Sequence, residues 1–197
     1  MHRAFVAAVL ALALLVGVYV GSGGWPRAAV AEAQPAVEPP VGATLIPGLG
    51  RYDFPITTRS PDAQRWFNQG LMLTFGFNHD AAERSFMKAA SIDPECAMCW
   101  WGASLVLGPH VNAAMDPQQN ANAWHRLQRA VALAPKATPR EQAFIRALQA
   151  RYAEKPPEDR KPLDEAYAAA TARLVAERPD DLDAKVFHAE ALMDLQP

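Results

Sequence analysis

The chain has 197 residues, 19 Lys plus Arg against 21 Asp plus Glu, a formal net charge of −2, 50% hydrophobic residues and only two cysteines. Balanced charge without a basic run excludes a nucleic-acid binder or a polybasic membrane-surface protein. Two cysteines cannot form a disulfide framework, and the length suffices for one ordinary hydrophobic core.

Residues 1–33 read as an export signal: a weakly positive start at His2 and Arg3, an apolar run from Ala4 to Val20, then small-residue sites at Ala29-Val30-Ala31 and Ala31-Glu32-Ala33. At ~1.5 Å per residue that run makes a helix of roughly 25 Å, short of a ~30 Å hydrocarbon core. The expected location is periplasmic or extracellular, by cleavage near Glu32 or Gln34. The alternative is an uncleaved N-terminal anchor, the one case in which the chain would contact membrane. Residues 34–60 form a Pro/Gly-rich linker that excludes helix. Tyr52, Phe54 and Ile56 alternate around Pro55, so its end is expected to lie extended and to dock apolar side chains on the folded part.

From Pro61 onward the pattern is helical, with helices expected near 61–77, 80–92, 96–107, 117–134, 139–153, 163–178 and 182–195. Start signals are Ser60 before Pro61, Asp80-x-x-Glu83, Asp116-Pro117-x-Gln119 and Thr138-Pro139-x-Glu141. The fold class is all-α.

Trp66, Gly70, Ala82, Phe86, Ala89 and Pro94 follow one another at spacings of 4, 12, 4, 3 and 5. Small Gly70 and Ala82 let two antiparallel helices approach, Trp66 and Phe86 fill the volume beside them, and Pro94 stops the second helix. In residue types and spacing this segment resembles the tetratricopeptide repeat. A second unit starts at Trp100 with small Ser104, and returns as Ala123, Leu127, Ala130 and Pro135. A third is weaker, with Tyr167, Thr171 and Leu174 in place of the usual residues. The units fall near 63–96, 97–137 and 138–181, with a partial unit at 182–197. An apolar last helix caps such an array poorly, so the chain reads as the front of a longer protein.

Tyr52-Asp53-Phe54-Pro55, Phe77-Asn78-His79-Asp80, Cys96-Ala97-Met98-Cys99-Trp100-Trp101-Gly102 and Leu107-Gly108-Pro109 are similar to the opening of longer exported bacterial tetratricopeptide proteins. That resemblance implies an α-solenoid of stacked helix pairs outside the cytoplasm, and no assigned reaction. It also implies Asn where His110 stands.

Cys96 and Cys99 are the chemically pointed pair. Trp100 occupies the place where haem attachment needs His, and the surroundings lack the βαβ pattern of a thioredoxin-like site. A disulfide, two packed thiols and a soft-metal site remain. Helical Cβ atoms at i and i+3 sit ~5–6 Å apart against the ~3.5–4.5 Å a disulfide needs, so bonding requires a distorted first turn. An oxidising compartment favours the bond. Copper(I) would suit the thiolates with Met98, Met87, Met115 or His110 nearby, although Met at helical spacing is more often core filler. His110 and Asn112 can line a pocket or be solvated loop residues. His79, His125 and His188 read as capping or surface histidines.

Phosphate-loop, nucleophile-elbow and His-Glu-x-x-His motifs are lacking, so no enzyme and no cofactor are expected. What the repeat offers is an inner groove on its first helices. Phe67, Leu71, Phe75, Trp101 and Leu105 form an apolar stripe there, suited to a protein or peptide partner. The alternative occupants of that stripe are the Tyr52-Phe54-Ile56 segment and further repeats. The basic carboxylate clamp of chaperone-tail binders is missing. The function expected is therefore a binding scaffold, with a soft-metal or redox-linked role for Cys96 and Cys99 as the alternative.

Overall fold

A computed structural model describes residues 37–195; the expected signal or anchor at 1–33 lies outside the described residues. Seven α-helices occur there: α1 (Pro61–Phe75), α2 (His79–Ile92), α3 (Ala97–Leu105), α4 (Asn120–Leu133), α5 (Pro139–Leu148), α6 (Lys161–Glu177) and α7 (Leu182–Met193). Short 3-10 turns at Pro117–Gln119, Ala134–Lys136 and Gln149–Arg151 lead into α4 or trail α4 and α5. No described helix is long and apolar enough to cross a membrane.

The local start signals act as their chemistry requires. Ser60 accepts the Ala63 N–H at the head of α1, with Pro61 at its first position. Thr138 and Glu141 complete a reciprocal capping box on α5. Two signals shift. Asn78, not Asp80, caps α2 by accepting from Ala81 N–H. Asp116 accepts from Gln118 and opens a 3-10 turn, with α4 beginning behind it.

Each helix packs on the next in the chain, and α1, α3 and α5 also touch one another in a row. Buried Ala63, Trp66, Phe67, Gly70, Leu71 and Thr74 share one side of α1, the i, i+3, i+4, i+7 stripe of a core-facing helix. On α2, Ala82, Ala89 and Phe86 are fully buried, and Pro94 follows its end. All nine residues of α3 are buried, so that helix has no solvent face and forms the centre. Phe86 lies against both Gly70 and Gly102, where no side chain separates ring from backbone. The last helix buries Ala184, Phe187 and Ala191 and leaves Leu182, Val186, Leu192 and Met193 exposed.

Cys96 and Cys99 are joined, their Cα atoms 5.4 Å apart. The i, i+3 obstacle is removed because Cys96 is the N-cap of α3, with extended backbone at φ −75° and ψ 102°, so only Cys99 is helical. Both side chains are fully buried. Alkylation of the denatured protein should yield two modified thiols only after reduction, read by mass. Because the loop closed is very short, reduction should loosen the start of α3 while shifting the global melting little.

Candidate functional site

The row formed by α1, α3 and α5 carries a continuous aromatic cluster, and the groove expected to be open is filled. Phe67, Leu71, Trp101 and Leu105 are all buried. Phe75 alone of the five is partly exposed, and it rests between Tyr52 and Phe187, with ring centroids 6.0 and 5.6 Å away. Two residues close the stripe. Phe54 of the extended segment sits 5.7 Å from Phe67, 6.3 Å from Trp101 and 5.3 Å from Phe144. Phe187 of α7 lies 5.3 Å from Trp101 and 5.9 Å from Phe144. Such stacked, tilted and edge-to-face arrangements add about 0.5–1.5 kcal/mol per pair beyond area burial.

The backbone of the extended segment is hydrogen-bonded by side chains of α1 and α5. Gln64 donates to the Phe54 carbonyl at 2.9 Å and accepts the Ile56 N–H at 3.0 Å. Asn68 accepts the Phe54 N–H at 3.3 Å and donates to Asp53 at 3.1 Å. The Glu141 carboxylate takes the Thr57 N–H at 2.5 Å and the Thr57 hydroxyl at 2.6 Å, in addition to its capping-box donors on Thr138. Four donors explain how a carboxylate survives burial. Farther upstream, Gln69 brackets the chain by donating to the Thr44 carbonyl and accepting the Ile46 N–H.

Arg140 closes the cluster. Its guanidinium lies 4.0 Å over the Phe54 ring centroid and is paired with Asp181 at 2.7 Å and Asp183 at 2.6 Å. The Tyr52 hydroxyl also donates to Asp183. Burial first, and then this bond to a carboxylate, push the Tyr52 phenol far up. Asp181 is held below its ordinary value because hydrogen bonds from Arg140 and from the start of α7 outweigh its burial. The aromatic pocket, the side chains that bond the backbone and this charged rim together hold the chain's own extended segment, residues 52–57.

Behind it lies a second polar group. Arg151 is 1% exposed, donates to the Pro109 carbonyl at 2.5 Å, pairs with Asp194 at 2.8 Å and lies 4.5 Å over the Tyr167 ring. Position 108 has no room for a side chain, since a Cβ there would come within 2.8 Å of the Arg151 Nε. His79, expected as a capping or surface histidine, and His110, expected in a pocket or a solvated loop, meet here as stacked rings.

For Cys96 and Cys99 as metal ligands, the bond removes the thiolates that copper would need. Among the described residues no group of three or more His, Cys, Asp or Glu is placed to hold a metal. Gln64, Asn68, Arg140, Glu141, Phe144, Asp183 and Phe187 were not legible as site residues. The nearest signal was Glu141, whose role in a capping box was evident but whose long-range partner was not.

Compared with protein-family models, with curated proteins and with solved structures, the chain matches none. The tetratricopeptide resemblance therefore rests on residue spacing.

Proposed function

We propose that this chain is an exported helical scaffold of tetratricopeptide type, with helix pairs stacked as an α-solenoid, that binds extended polypeptide on its inner face. It acts by binding, without catalysis. The observation that carries this reading is the chain's own segment 54–57, held on that face through its backbone by Gln64, Asn68 and Glu141 and through one aromatic anchor by Phe67, Trp101 and Phe144. Backbone reading of this kind is tolerant of sequence, while the pocket selects the anchor. A partner segment of the same chemistry, an aromatic residue followed by Pro and an extended run, would take the place of the internal one.

The test uses the full chain with Phe54→Ala, which empties the pocket while leaving its walls. A synthetic peptide with the sequence of residues 50–60 should raise the melting temperature of this variant progressively, with the logarithm of its free concentration above Kd. At a free concentration 100-fold above its Kd the gain is about 2.7 kcal/mol. The same peptide carrying Ala in place of Phe54 should give no gain. If the Phe-containing peptide produces no shift up to about 1 mM, a concentration corresponding to the weakest useful affinity, the binding reading is overturned.

A further inference from the structure

The turn between α1 and α2 meets the loop between α3 and α4 through three rings that peptide binding leaves unused. Phe77 has φ 58°, in the left-handed region where a bulky side chain is strained. Its ring centroid is 6.3 Å from His79 and 6.2 Å from His110. His79 opens α2 and stacks on His110 with centroids 4.0 Å apart and planes 20° from parallel. The two imidazoles border a cleft of about 230 Å³ that also meets Asp80, Glu83, Gly108 and Met115.

We propose that the His79–His110 stack is an acid-released latch: while both rings are neutral it holds the strained Phe77 turn against the α3–α4 loop, and protonation lets the two separate and opens the cleft. Neutral imidazoles stack readily, whereas two imidazolium rings in face contact repel. His110 Nδ1 accepts the Asn112 N–H at 3.3 Å, so a proton on that nitrogen also removes the bond that shapes the loop. The strain at Phe77 supplies the opening tendency that the stack opposes.

The charged groups around the pair set the order of events. His110 faces Asp194, just past α7, which favours its proton, and Arg151 from the 3-10 turn after α5, which opposes it. His79 faces Asp80 on its own helix, which favours a proton, and both His110 and Arg151, which oppose one. Glu83 is engaged by Arg126 of α4 at 2.7 Å, and Asp116 caps the turn leading into α4. Burial first, then these cations, hold both histidines below their ordinary value. The closed form thus binds fewer protons than the open one. Closure is fully favoured above about pH 6.5 and is lost as pH falls from there towards the lowered values, about tenfold for each unit of depression.

Hydrogen exchange on the full chain, corrected for intrinsic rates, tests this at about pH 8 and about pH 5. Segments 76–83 and 105–115 should lose protection at the lower pH relative to α5 and α6. In His79→Gln, which loses the ring stack and takes no proton at that position, protection of segment 76–83 should be the same at both pH values. An unchanged wild-type pattern, or an acid-induced loss in segment 76–83 of His79→Gln equal to that of the wild type, overturns the latch. Proton NMR of the unaltered protein is a second check: a His79 ring titrating at or above about pH 6.5 would also overturn it. Neither measurement involves the peptide surface, so the latch and the binding reading stand or fall separately.

Discussion

Arg151→Met should destabilise the protein by about 3–5 kcal/mol at neutral pH, among the largest single effects expected. The guanidinium is buried, and removing it strands Asp194 and Glu190, which approach it at 2.8 and 3.9 Å. Burial already pushes both carboxyl groups above their ordinary values, with Arg151 pulling them back. Without Arg151 both rise further, and the sign follows. A carboxyl whose folded value lies above its unfolded one lowers stability as pH rises through that window. The deficit of the variant should therefore shrink between neutral pH and about pH 5, because the raised carboxyl groups take up protons in the fold more readily than in the unfolded chain. Chemical denaturation at the two pH values measures this. Adding Glu190→Gln and Asp194→Asn to Arg151→Met should recover much of the loss at neutral pH and abolish its pH dependence. A deficit that is constant with pH would show that the guanidinium matters for packing over Tyr167 and under Gly108 rather than for charge.

The second large effect should come from Gly102→Ala. A Cβ at Gly102 would lie 2.4 Å from the Phe86 ring, and one at Gly70 would lie 2.6 Å from the same ring. Phe86 is fully buried and wedged between the two glycines, so it cannot relieve one contact by moving towards the other. Overpacking of this kind costs about 1–3 kcal/mol, and the two-sided confinement places Gly102→Ala at the upper end. Gly70→Leu brings in more volume and should unfold the first helix pair. The discriminating measurement is a double-mutant cycle. Phe86→Leu alone loses core contacts, but combined with Gly102→Ala it should cost less than the sum of the two single changes, because the smaller side chain vacates the space the new methyl needs. Strict additivity would mean that the clash is relieved elsewhere.

Helix existence and most helix starts were legible along the chain. Ser60 with Pro61, and Thr138 with Pro139 and Glu141, act within a single turn, and the backbone N–H groups they satisfy are a few residues away. The small positions Gly70, Ala82 and Ala89 were legible for a related reason, since close helix approach restricts residue size. Alternation around Pro55 was enough to expect that the Phe54 segment docks. The disulfide needed one more fact, that Cys96 falls at the N-cap and keeps extended backbone, a one-residue matter of helix boundary that spacing leaves open.

Whether the stripe of Phe67, Leu71, Trp101 and Leu105 faces solvent was decided only by the tertiary structure. Its cover comes from Phe54 on one side and Phe187 on the other, and both sit in segments whose apolar pattern would equally suit an open groove. The same holds for Glu141, whose second partner Thr57 is 84 positions distant, for Arg140 over Phe54, and for the meeting of His79 with His110. Cap and turn signals work through bonds spanning three or four residues and so can be read along the chain. Burial of a particular charge or ring depends on which distant surfaces the summed packing brings together, and no short window of sequence contains that sum.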